Sequence, residues 1–130
     1  MTESNGNVPP VIELWGQLLV SVHGELNDAD ATRLSGNVLD AIERIGARGL
    51  VLDLSGVSLI DSHLCRVIAS LAEAATLMGV QTVLCGLTPE IVITLVTMDF
   101  ELTNVHTVPT LEQALAYVGI RRVREAGEGT

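Results

Sequence analysis

Two adjacent residues, Asp61 and Ser62, are the pair in this chain best placed to do chemistry. They follow the apolar run Leu50-Val51-Leu52-Asp53-Leu54 and the turn Ser55-Gly56, and they stand directly before a stretch of helical periodicity. A serine in the first turn of a helix offers its hydroxyl to solvent beside backbone N–H groups that have no partner inside the helix. It also lies at the positive end of the helix dipole, so an added phosphate would be held by both. The chemistry this arrangement suggests is a phosphorylation switch on a binding surface, centred on Ser62. Taken alone, the same serine also reads as an ordinary N-cap. Asp61 reads either as a capping carboxylate that shapes the turn or as a contact for a partner. Arg66, one turn on, is spaced to pair with a phosphate on Ser62 or to be a plain exposed arginine. Ser55 and Ser58 read as turn formers, with Ser58 also part of the surroundings of Ser62.

Other chemistries find little support. The three histidines, His23, His63 and His106, show no ligand spacing, so no metal site is expected. His63 beside Ser62 invites a serine–histidine nucleophile, but neighbours in sequence do not face one another on a helix, and no glycine-flanked nucleophile turn surrounds the serine. Cys65 and Cys85 form no metal or redox motif and read as small buried apolar residues. Ser55-Gly56 and Gly86 are too sparse for a dinucleotide loop, so no cofactor and no catalysis are expected.

The elements that position Ser62 follow from patterning. The chain has 130 residues, 48% of them hydrophobic and only 2% aromatic, which suits one core of Leu, Val, Ile and Ala between a sheet and helices. Residues 1–9 read as a flexible N-terminus, 10–119 as the single domain and 120–130 as a flexible tail. Val11 to Trp15 and Leu18 to His23 flank Gly16-Gln17 and predict a hairpin, with Trp15 partly exposed at its turn. Asn27-Asp28 opens a helix through Leu34, Val38, Ile42 and Ile45, closed by Gly46. A strand over 50–54 leads to a helix from Ser62 through Leu64, Ile68, Leu71, Ala75 and Met78, closed by Gly79. A strand over 80–85 follows. Thr88-Pro89-Glu90 opens a third helix with Ile91, Leu95 and Met98 inward. A short strand at 105–108 and a last helix through Leu111, Ala114, Leu115 and Val118 complete the order β-β-α-β-α-β-α-β-α. Strands separated by helices join in parallel, while the first two pair antiparallel, giving an α/β fold with a mixed, mostly parallel sheet of about five strands and four to five helices. The functional edge of such a sheet lies at the carboxyl ends of its strands, where Asp61, Ser62 and Thr88 fall.

The net charge is −9, from 16 acidic residues against 7 arginines. With no basic stripe, neither nucleic acid nor an anionic membrane is an expected partner. The one basic cluster, Arg121-Arg122-Val123-Arg124, reads as a solvated helix end. No apolar run is long enough to span a bilayer, and the first ten residues lack the basic and apolar regions of a signal peptide, which points to the cytoplasm.

The element order together with Leu52-Asp53-Leu54-Ser55-Gly56-Val57-Ser58-Leu59-Ile60-Asp61-Ser62 resembles the STAS domain family of anti-sigma-factor antagonists, nearest to the small stressosome antagonists of the RsbS type. Leu18 to Val22 with Glu25-Leu26, Leu77-Met78-Gly79, Val83 to Pro89 running into Ile93-Thr94-Leu95, and Leu111 to Leu115 carry the likeness over roughly residues 10–118. The resemblance implies a non-enzymatic scaffold that holds a GHKL-type serine/threonine switch kinase (RsbT-like) inside a large homo- or hetero-oligomeric assembly with larger STAS co-antagonists (RsbR-like). It implies that the kinase phosphorylates Ser62 and is released, and that a PP2C-type phosphatase resets the site. Two positions depart from the family pattern. His63 stands where relatives carry an apolar residue, often phenylalanine, and Asp99 stands where glycine is usual after the third helix. Two other readings share the fold: a free anti-anti-sigma factor that binds an anti-sigma kinase directly, and a small-molecule or nucleotide-binding module.

Overall fold

The computed structural model describes residues 8–23, 25–99 and 103–120. Its elements run β1 (Ile12–Leu14), β2 (Gln17–His23), α1 (Asp28–Ile45), β3 (Gly49–Gly56), α2 (Ser62–Leu77), β4 (Gln81–Cys85), α3 (Pro89–Thr97), β5 (Val105–Thr107) and α4 (Leu111–Tyr117). The strands form one sheet in the order β1-β2-β3-β4-β5. The β1–β2 pair is antiparallel and every other pair is parallel, as the helix-separated strands require. The mixed five-stranded sheet with four helices is the α/β architecture expected from the sequence.

The central strands are near-continuous apolar runs because the sheet is covered on both faces. One face carries the main core, where Leu18, Val20, Leu50, Leu52, Leu54 and Leu84 meet Leu34 and Val38 of α1, Ile68 and Leu71 of α2, and Ile91 and Leu95 of α3. The other face carries a smaller cluster, where Leu19, Val51, Val83 and Cys85 pack under Ala114 of α4. Alternation along each strand sorts the residues between the two faces. Val8 packs against the main core and Pro9 is buried, while residues 1–7 and 121–130, which include the basic cluster, lie outside the described residues.

The hairpin turn falls one residue earlier than the sequence suggests. Leu14 pairs with Gln17, so the two turn residues are Trp15 (φ 45°) and Gly16 (φ 84°). Two successive left-handed residues make the tight turn that matches strand twist. Trp15 is held at its tip with 84% of its surface exposed. Gln17 is thereby freed for a structural task. Its Oε1 accepts from the N–H groups of Arg48 (3.0 Å) and Gly49 (2.7 Å), and its Nε2 donates to the Val118 carbonyl (3.1 Å). One side chain thus staples the hairpin, the start of β3 and the end of α4.

Local chemistry fixes the helix ends. Asn27 accepts from the N–H of Asp30 at 2.7 Å, and Asp30 reaches back to the N–H of Asn27, a reciprocal capping box; Gly46 closes α1 at φ 68°. Thr110 and Gln113 repeat the box on α4. Met98 departs from expectation. The sequence pattern puts it inward with Ile91 and Leu95, but α3 ends at Thr97, and Met98, as the C-cap, is 37% exposed beyond the edge of the core.

Candidate functional site

The site is built where β3 gives way to α2. Asp53, half-buried near the carboxyl end of β3, accepts the Ser55 N–H at 3.0 Å and so bends the strand where its pairing with β2 shifts register, just ahead of the last pair, His23 with Gly56. Gly86, at the end of the neighbouring strand β4, packs against that bend at φ 78°. A Cβ there would lie 2.7 Å from both Asp53 Oδ1 and the Ser55 nitrogen. The bend therefore needs a glycine at 86 for space as well as for conformation. Cys85, wholly buried beside it, also meets Asp53. Burial first, then the Asp53 charge and hydrogen bond, push its thiol up to about 12, which keeps it protonated and inert. Burial likewise raises the Cys65 thiol, reinforced by the Asp61 charge and opposed by Arg66. Neither Asp53 nor Gly86 was singled out from the sequence. The Asp-x-Ser spacing was the available signal for the bend.

The loop then crosses the edge of the sheet and enters α2 at Asp61. Asp61 is extended (φ −126°, ψ 178°), and its Oδ1 accepts the Leu64 N–H at 2.9 Å. The cap is therefore Asp61, and the reading of Ser62 as the N-cap does not hold. Ser62 occupies the first helical position and is exposed, so its hydroxyl is left to solvent at the positive end of α2. Of the two readings of Asp61, this geometry shows the capping carboxylate.

His63 turns away from Ser62. Its Nε2 lies 3.1 Å from the Leu26 carbonyl oxygen and 3.5 Å from Asp28 Oδ1, so an imidazole protonated on Nε2 donates to Leu26. This ties the start of α2 to the segment that enters α1, and it gives a polar residue a place at the departure noted above. No serine–histidine pairing results. Arg66 is exposed and shares an open groove between α1 and α2 with Asp28, Thr32, Ser35, His63 and Ser70. Ser58 is exposed and lines a separate pocket of about 380 Å³ with Glu25, Leu26, Leu59, Asp61, His63 and Leu64. Ser58, Asp61, His63 and Arg66 thus surround the start of α2, on two different hollows that His63 divides.

Thr88 caps α3 as expected, accepting the Ile91 N–H at 3.3 Å, so α2 and α3 both begin at the same edge of the sheet. Asp99, the second departure, adopts φ 54° in the turn after α3. That is the left-handed conformation glycine adopts without strain. Among the described residues no group of three or more His, Cys, Asp or Glu side chains is arranged to hold a metal, and no helix is long and apolar enough to cross a membrane.

A family model described as the STAS domain matches residues 6–114. The RsbT co-antagonist protein RsbRB of Bacillus subtilis is 34% identical over 109 residues, covering 83% of this chain and 39% of the relative. RsbRD of the same organism is 27% identical over 121 residues, covering 93% of this chain and 43% of the relative. The chain therefore spans about two-fifths of the length of these curated relatives. Among solved structures, a serine-to-glutamate variant of Moorella thermoacetica RsbS superimposes with a TM-score of 0.73 at 25% identity, over 85% of this chain and 93% of that one. A chain from the molecular architecture of the stressosome, described as a signal integration and transduction hub, does so with a TM-score of 0.74 at 28% identity, over 84% and 95%.

Proposed function

Since the chain belongs to the STAS domain family, we propose that it is a non-enzymatic, phosphorylation-controlled regulatory scaffold of a stressosome-type assembly. In this reading it holds a GHKL-type, RsbT-like serine kinase and releases it when Ser62 is phosphorylated. Larger RsbR-like STAS co-antagonists share the assembly, a PP2C-type phosphatase restores the resting state, and the cycle runs in the cytoplasm. The observation that carries the reading is the division of labour at the start of α2. Asp61 supplies the cap, so Ser62 is left exposed at the positive N-terminal end of α2, where a phosphate is electrostatically tolerated. Likeness to an RsbS in which a serine is replaced by glutamate, and to a stressosome chain, supports the same assignment.

The phosphate would add about −1.5 to −2 charge beside the Asp61 carboxylate. The dipole and the free N–H groups of the first turn accept that charge without unfolding α2. A partner seated over Ser62 meets bulk and repulsion instead, and Arg66, one turn away, is the cation within reach of the new group. Intact-mass measurement after incubation with ATP and the GHKL-type kinase, on wild type and Ser62→Ala in parallel, tests the assignment. One phosphate on wild type and none on the variant supports it. Phosphate on both moves the site to Ser58 or another hydroxyl. No phosphate on either, with an active kinase, refutes the switch. Sedimentation with a co-antagonist tests the scaffold: a lasting monomer or dimer favours a free anti-anti-sigma factor, while a megadalton particle supports the stressosome reading.

A further inference from the structure

The edge of the sheet opposite Ser62 carries apolar surface that folding does not use. There the parallel strands begin, at Gln17, Gly49 and Gln81, and helices α2 and α4 end. Trp15 stands at the hairpin tip on this edge with 84% of its surface in water. Leu77, 85% exposed, and the exposed Met78 and Tyr117 lie at the ends of α2 and α4. Trp15 is the costliest of the four. Its φ of 45° strains a bulky residue and suits asparagine or glycine, and the side chain buries almost nothing in return. Gln17, two residues on, borders a hollow of about 350 Å³ whose other walls include Arg48, Gln81, Tyr117, Val118 and Gly119. No carboxylate lines it. Tyr117 is held as a fixed wall by stacking on His106, with ring centroids 4.0 Å apart.

We propose that this edge pairs two copies of the chain, with the Trp15 indole of each seated in the hollow of the other. The pairing stands on this geometry and not on the Ser62 switch, which lies at the opposite edge and stays open. Three observations choose a second copy as the occupant. The first is fit. A cavity of about 150 Å³ already admits a benzene ring, so the hollow has room for an indole. The second is chemistry. Arg48 offers a guanidinium to the electron-rich face of the indole, and Tyr117 offers a ring for stacking. The third is arrangement. Knob and hollow share one edge of one chain, so a two-fold axis across that edge fills both hollows at once and closes the pair. Each indole buries about 150–250 Å² on insertion, and Leu77, Met78 and Tyr117 of both copies extend the contact towards the ~1,000 Å² that a specific interface needs. The net charge of −9 on each copy opposes the approach at low salt, and screening within about 8 Å at physiological ionic strength relieves it.

Trp15 is the chain's single tryptophan, so its fluorescence reports the contact directly. The test follows the mass of the full chain by sedimentation equilibrium, and its tryptophan emission, over a concentration series at physiological ionic strength. Wild type is compared with Trp15→Asn, Arg48→Glu and the control Ile93→Ala, an exposed apolar residue on α3. Trp15→Asn separates turn from interface, because asparagine suits the left-handed turn position and keeps the fold at least as stable. The expected wild-type result is a doubling of mass, with emission moving to shorter wavelength along the same concentration curve. Trp15→Asn and Arg48→Glu should weaken the pair at least about tenfold while melting no lower than wild type, and Ile93→Ala should stay within about twofold. A wild-type chain that stays monomeric overturns the proposal and leaves the Ser62 assignment untouched. A dimer with unchanged emission that survives Trp15→Asn overturns it by placing the contact on another face. Loss in Trp15→Asn with none in Arg48→Glu overturns it by sending the indole to a different receptor surface.

Discussion

Replacing the Asp61 side chain separates its geometric role from its charge. The carboxylate closes the first turn of α2 through one hydrogen bond, 2.9 Å from the Leu64 nitrogen, and Leu64 itself is only 7% exposed. Asp61→Ala leaves that N–H unpaired in a part-buried setting, which places the cost in the upper half of the usual capping range, about 1–2 kcal/mol. For a domain of this size about 1 kcal/mol corresponds to roughly 4–5 °C, so a fall in melting temperature of roughly 4–10 °C is expected. Asp61→Asn keeps an equally good cap and loses only the favourable charge–dipole contact, about 0.5 kcal/mol, or roughly 2 °C. Thermal melts followed by circular dichroism at low salt give both values, and kinase assays on the same proteins give the functional counterpart. Ser62 phosphorylation in the asparagine variant should stay within about threefold of wild type, and fall further in the alanine variant as the first turn frays. An alanine variant that melts with wild type, or an asparagine variant as damaged as alanine, would refute the assignment of the cap to Asp61.

Three other perturbations have worked signs. Gly86→Ala drives a Cβ to 2.7 Å from the Ser55 nitrogen and imposes φ 78° on alanine, so a loss of about 2–4 kcal/mol in urea unfolding is expected, together with slower phosphorylation of Ser62 as the bend shifts. The Thr82 hydroxyl is fully buried and has no hydrogen-bond partner among the described residues, so Thr82→Val should stabilise the domain by about 1 kcal/mol in the same assay. The Cys85 thiol is raised from 9.0 to about 12, so the folded state holds its proton more tightly than the unfolded chain. That contribution is complete below about pH 9 and is lost as pH climbs from about 9 toward about 12. Cys85→Ala should flatten this part of the stability–pH curve.

Much of the fold was legible because its signals are local and redundant. Asn27 and Thr88 each announce a helix by a side chain that satisfies an N–H three residues on. Strand order followed from the alternation of elements, since a helix between two strands forces them parallel. The candidate site was half legible. The loop and its serine stood out, but Asp61 and Ser62 are both good caps, and sequence cannot rank two adjacent candidates that differ by one rotation of the chain. The turn at Trp15-Gly16 was shifted because a bulky residue at positive φ contradicts propensity and is imposed by pairing of Leu14 with Gln17. Asp53, Gly86 and the Gln17 staple depend on contacts between segments distant in sequence, which no local pattern encodes.

That staple has a bearing on how the protein is made. Gln17 and the Val118 carbonyl it holds are 101 residues apart, so the first strands and the last helix lock together only after nearly the whole domain has left the ribosome. Until then the face of the sheet that carries Leu19, Val51 and Val83 has no α4 to cover it. A chain that has reached β4 but not α4 therefore has nothing to cover Leu19, Val51 and Val83. Premature termination ahead of α4 would leave that apolar face in water, a species suited to capture by chaperones.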